Sequence, residues 1–152
     1  MKIRRMEERD RAFIMSSWLS SFKSSPYTGP IAMLRYWDVY KREIESLLPW
    51  TTVLVATPRE ADLEDEIHGW VCCEPQMPTF LVHYVYVKLT CRRERVASTL
   101  LLAAGLHPRR EFAFTYRTEA GDELRKLSGI WAPRIVKRLR RQKEESHEAS
   151  TR

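Results

Sequence analysis

Residues 79–101, TFLVHYVYVKLTCRRERVASTLL, decide the fold. The first ten, TFLVHYVYVK, are almost continuously apolar or aromatic and long enough for a central strand covered on both faces. Alternation along it sets Phe80, Val82, Tyr84 and Tyr86 on one face and Leu81, His83, Val85 and Val87 on the other. A short basic turn, CRRER, follows. A helix comes next, with Val96, Leu100 and Ala103 inward, ended by Gly105 and Pro108. A strand, a turn and a helix in this order bring unpaired N–H groups and the positive end of a helix dipole to one place, which suits a phosphate.

Upstream, TTVLVAT (51–57) and IHGWVCCE (67–74) are rich in β-branched and aromatic residues, and the acidic segment ADLEDE separates them. They read as an antiparallel hairpin. Before them lie two helices. The first starts near Glu8 and places Ile14, Met15, Trp18, Leu19 and Phe22 on one side. The second has Met33, Tyr36, Trp37, Tyr40, Ile44, Leu47 and Leu48 on one face and stops at Pro49. Residues 24–30 form the loop between them, because two prolines and a glycine break any regular element. Lys2 to Met6 suits a short edge strand. Downstream, EFAFTY (111–116) reads as a strand and residues 119–127 as a short helix. The order is β, α, α, β, β, β, α, β, α.

The 152 residues suit one domain, 1–133, followed by a basic and then mixed-charge tail, 134–152. Hydrophobic content of 43% with 5 Gly and 8 Pro excludes a disordered, collagen-like or low-complexity chain. No apolar run reaches membrane-spanning length, and the opening MKIRRMEERD mixes charges where a secretion signal turns apolar, so a soluble cytoplasmic protein with no membrane partner is expected. Adjacent Cys72 and Cys73 with a lone Cys91 form neither a disulfide framework nor a CxxC site. His68, His107 and His147 show no metal-ligand spacing, and no metal is expected. The net charge is +6, and Arg134, Lys137, Arg138, Arg140, Arg141 and Lys143 supply an equal surplus. The tail is therefore either a polyanion contact or a solvated terminal face.

The order of elements and the stretch YVYVKLTCRRERVASTLL resemble the GNAT superfamily of N-acetyltransferases. The resemblance implies an α/β (α+β) fold with a mixed, mostly antiparallel central sheet and helices on both faces. It implies acetyl-CoA as co-substrate, its pyrophosphate held by Arg92, Arg93, Glu94, Arg95, Val96, Ala97 and Ser98, where the family has the pattern Q/R-x-x-G-x-G/A. It also implies a bulge near Tyr84 to Val87 that splays the strand from its neighbour, so that the pantetheine arm pairs with backbone at Val85, Tyr86 and Val87. His68-Gly69-Trp70-Val71 fits the family's third strand. Three features depart from the pattern: Arg95 stands at the central glycine, Arg93 at the frequent glycine after the first arginine, and the helix after the fifth strand lacks the family's tyrosine.

Acetyl transfer to an amine needs a proton acceptor and a donor for the departing thiolate. The candidate catalytic residues are Glu74 and His83 as bases and Tyr116, the nearest phenol, as acid. His83 also reads as a hydrogen-bonded core residue and Tyr116 as packing. Tyr27, Trp37 and Tyr84 are the candidate acceptor-side residues, and Cys91 is expected to be structural. The acceptor is an amine on a small molecule, a protein or a nucleic acid. The competing function is a non-catalytic GNAT-fold protein that binds nucleic acid or another polyanion through its basic loop and tail.

Overall fold

A computed structural model describes residues 1–28, 33–60, 65–75, 78–125 and 129–132. The chain runs β1 (Lys2–Arg5), α1 (Arg11–Lys23), α2 (Met33–Leu47), β2 (Thr52–Thr57), β3 (Gly69–Glu74), β4 (Phe80–Val87), α3 (Val96–Ala103), β5 (Phe112–Phe114), α4 (Glu119–Arg125) and β6 (Gly129–Trp131). The six strands make one sheet in sequence order. β1 to β4 are antiparallel, whereas β5 and β6 join parallel to their neighbours. The parallel step from β4 to β5 needs a crossover, and α3 supplies it. This mixed, mostly antiparallel α/β sheet with helices on both faces is the expected architecture. β6 is an addition: Gly129-Ile130-Trp131 is too short to carry a strand period. The basic segment 134–143, on which the polyanion reading rests, lies outside the described residues.

Each face of the sheet buries its own core. On one, Ile14, Trp18, Leu19 and Phe22 of α1 and Tyr36, Ile44 and Leu47 of α2 pack with Val53, Val55, Trp70, Cys72 and Tyr84. On the other, Val96, Leu100, Leu101 and Ala104 pack with Ala56, Val71, Cys73, Phe80, Val82, Phe112 and Phe114. Ala103, expected inward, is exposed. Leu101 and Ala104 take the inner face instead, because the helix turns its apolar stripe toward them. Trp37, set on the inner face of α2 by spacing, is 40% exposed.

The alternation predicted along β4 fails at one residue. Cys73 pairs with Val82 but Cys72 pairs with Tyr84, so His83 is an extra residue on β4. A bulge of this kind shifts the side-chain phase. Phe80 and Val82 therefore face α3, Tyr84 and Tyr86 face α1, and Val85 and Val87 return to the α3 side. The expected bulge exists, but it sits at His83, just before the stretch 84–87.

Gly69 holds β3 close to β4. A Cβ there would lie 2.6 Å from the Tyr86 carbonyl oxygen and 3.0 Å from Val96 Cγ1. Gly69→Ala is expected to destabilise the fold by about 1–3 kcal/mol, as overpacking does. A urea unfolding midpoint shifted downward at unchanged slope checks this.

Candidate active site

Pairing between β4 and β5 runs only over Phe80↔Phe112, Leu81↔Ala113 and Val82↔Phe114, and ends where the Thr115 N–H donates to the Val82 carbonyl. β4 continues to Val87 with no β5 partner among the described residues. The strands part, and a cleft of about 650 Å³ opens between them. Its walls include Val82 to Val87 of β4, the end of α1 at Ser21, Ser24 and Ser25, the turn before α3, and Tyr116 after β5. Backbone groups on a strand's open side need partners, and an extended ligand supplies them.

The turn carries the charge. Arg92, Arg93 and Arg95 are exposed and line the cleft with Val96, Ala97 and Ser98. Arg93 and Arg95 have φ of 73° and 59°, in the left-handed region. That conformation favours glycine, and a side chain in it costs roughly 1–2 kcal/mol. The chain thus keeps the backbone of a glycine loop while adding two guanidinium groups. Arg95 is the N-cap of α3 and makes no side-chain cap bond. The first N–H groups of the helix have no partner within it, so they and the arginines together suit a phosphate.

At the bulge, sequence candidates meet. His83, 1% exposed, has Nε2 3.0 Å from Glu74 Oε1 and Nδ1 2.9 Å from Thr115 Oγ1. With Glu74 ionised, Nε2–H donates to the carboxylate and Nδ1 accepts from the threonine hydroxyl. His83 lines the cleft and Glu74 stands behind it, 8% exposed. The bulge at His83 makes this possible, since it breaks the strand alternation that would otherwise govern the ring's direction. Across the cleft, Tyr116 packs edge-on against Trp18 at 5.2 Å and Phe22 at 5.0 Å. Tyr84 stacks on Trp18 at 5.0 Å, and its hydroxyl is 2.8 Å from Ser21 Oγ. Burial pushes the Tyr84 phenol up to about 12, against the smaller effect of the Ser21 bond. It is protonated at neutral pH.

The other candidates fall elsewhere. Tyr27 is 38% exposed, donates to Asp122 Oδ2 at 2.7 Å and lies under Arg117, 4.1 Å from its ring centroid. Trp37 packs on Tyr36 and beneath Lys23. Neither lines the cleft. Every other cofactor-side candidate does except Glu94, whose carboxylate turns toward His68 and Cys91. The pairing of β3 with β4 brings His68 to the turn that carries the other two. Ser21 and Thr115 were not legible in the sequence, since an isolated hydroxyl carries no periodic signal.

This architecture is matched among solved structures. The apo form of YjaB from Escherichia coli superposes with a TM-score of 0.56 at 17% identity, over 82% of this chain and 78% of that one. A protein of Corynebacterium glutamicum described as histone acetyltransferase HPA2 and related acetyltransferase gives 0.57 at 15% identity, over 82% and 81%. The chain has the GNAT fold. Against a ribosomal-protein-alanine N-acetyltransferase from Brucella melitensis the TM-score is 0.46 at 16% identity, and the match spans 68% of this chain and 64% of that one. No protein-family model matches the sequence, and no curated protein does.

Within this GNAT fold the paired cysteines of β3 are unsuited to nucleophilic work. Burial raises the Cys72 thiol strongly, outweighing its bond to Thr51, and pushes Cys73 up to about 12. Thiols so shifted are protonated at neutral pH and unreactive. Cys72 and Cys73 are expected to escape iodoacetamide in the folded chain at pH 8 and to react fully in urea. Peptide mass spectrometry reads both states.

Proposed function

We propose that the protein is an acetyl-CoA-dependent N-acetyltransferase that passes the acetyl group directly to an amine. The observation that carries this reading is the open side of β4 from His83 to Val87, continuous with an arginine-bearing helix N-terminus. The strand edge fits the amide groups of a pantetheine arm, and the arginines with the α3 N–H groups fit its pyrophosphate. When bound, acetyl-CoA supplies a thioester carbonyl to the cleft.

The residues at the bulge then handle protons. His83 takes the proton of the attacking amine at Nδ1, exchanging its bond to Thr115, and Glu74 at Nε2 stabilises the imidazolium that results. The C–N bond forms as the C–S bond breaks. Tyr116 gives its proton to the departing thiolate and recovers one from solvent. Glu74 acts through His83 and is a positioning residue. Thr115 holds the resting ring and is not needed for turnover. Tyr84 lines the acceptor side, and Tyr27 and Trp37 stand outside the cleft.

Three outcomes are expected. Arg92→Glu with Arg95→Glu should raise the acetyl-CoA dissociation constant at least tenfold, about 1.4 kcal/mol by calorimetry; an unchanged constant in a folded double variant moves the ligand elsewhere. His83→Ala and Tyr116→Phe should each lower kcat by about 100-fold or more with acetyl-CoA affinity retained, whereas Thr115→Val should cost far less. In quenched reactions no acetyl group should be found on Cys72, Cys73 or Cys91. An acetylated cysteine formed at the rate of turnover would replace direct transfer with a covalent route.

A further inference from the structure

At the arginine turn, three donor groups converge, one from the entry of β3 and two from the turn itself. The imidazole of His68 just before β3, the thiol of Cys91 in the single helical turn after β4, and the carboxylate of Glu94 each offer a ligand atom, and these atoms lie within 4.8 Å of one another. Backbone bonds set the meeting. The Lys88 N–H donates to the His68 carbonyl at 2.8 Å, and the Cys91 N–H donates to the Lys88 carbonyl at 3.0 Å.

The three side chains have little other work among the described residues. Among the described residues, neither the His68 ring nor the Glu94 carboxylate makes a hydrogen bond or ion pair, and the Cys91 sulfur has only a 3.7 Å contact to the Thr90 hydroxyl. Glu94 stands between Arg93 and Arg95 in sequence, yet it forms no ion pair with either and turns instead to a thiol and an imidazole.

We propose that His68, Cys91 and Glu94 bind a divalent cation of the zinc type, with water as the fourth ligand. Thiolate, imidazole and carboxylate together are a zinc donor set, whereas magnesium and calcium prefer oxygen. Bond lengths of about 2.0 to 2.3 Å place ligand atoms on a shared tetrahedral ion roughly 3.3 to 3.7 Å apart. A contraction of about 1 Å from the present spacing reaches that geometry, and the exposed Glu94 side chain can make it. The thiolate and the carboxylate cancel the ion's two charges, so the loaded site is neutral beside the three arginines. The bound ion would join the entry of β3, the turn after β4 and the loop that holds Arg93 and Arg95 at positive φ. This proposal does not rest on acetyl transfer.

Cobalt(II) is the probe. The full chain, stripped with chelator and kept reduced, is titrated with Co²⁺ in the absence of acetyl-CoA. One ion per chain is expected, with thiolate-to-cobalt charge-transfer absorption, intense tetrahedral d–d bands, and displacement of both by Zn²⁺. Cys91→Ser should abolish the charge-transfer band. Glu94→Gln and His68→Gln, at partly or fully exposed positions that leave the buried core alone, should each raise the Co²⁺ dissociation constant at least tenfold while circular dichroism stays unchanged. Binding no tighter than about 1 mM, a charge-transfer band that survives Cys91→Ser, or equal affinity in the Glu94 and His68 variants would overturn the site.

Discussion

The molecule is organised by the parting of β4 from β5. Three residue pairs hold the strands together, and then β4 runs on for five residues, still joined to β3 but with no β5 partner among the described residues. A strand with an open side inside a sheet is costly unless its polar groups find partners, since buried N–H and C=O groups are nearly always hydrogen-bonded. The cleft solves this by staying wide enough for solvent or an extended ligand. The bulge at His83 sits at the point of divergence, where a bulge increases local twist. The same extra residue that helps open the sheet also aims the imidazole toward Glu74 and Thr115.

Rigid packing maintains the opening. Trp18 of α1 stacks on Tyr84, tilts against Trp70 and meets Tyr116 edge-on, so one buried indole touches both lips of the cleft. Aromatic contacts of this kind add specificity of geometry to the area they bury. α1 and β4 therefore cannot shift independently. On the other face α3 is pressed against β3 through Val96 and Gly69, which sets the helix N-terminus at the end of the open strand. Strand edge and helix dipole thereby form one continuous surface.

The arginine turn is where the chain trades conformational ease for charge. Two arginines in the left-handed region carry strain that glycines would avoid. Strain of this sort persists where the surroundings over-determine the backbone, and here β4 and α3 flank the loop. An anion at the helix N-terminus would be gripped by guanidinium groups as well as by backbone N–H groups.

Much of this was legible in residues 79–101 and their neighbours. The apolar run, the basic turn and the small-residue helix start are local patterns, and local periodicity reports element type directly. The order of elements as far as α4 followed from them. Three things were beyond local reading. The face assignment along β4 changed at His83, because a bulge is a relation between two strands and leaves no mark in one. The Glu74–His83–Thr115 chain and the His68–Cys91–Glu94 cluster join residues far apart in sequence, and only strand pairing decides which of them meet. The resemblance set Tyr27 and Trp37 on the acceptor side, and only the tertiary structure shows Tyr27 held by Asp122 and Arg117 and Trp37 beneath Lys23. The sequence by itself determined the elements from β1 to α4, since those depend on neighbours two to four residues apart, whereas β6 forms only by pairing with β5. Which side chains share a site was left to the register of the sheet, which is set by the sum of long-range contacts.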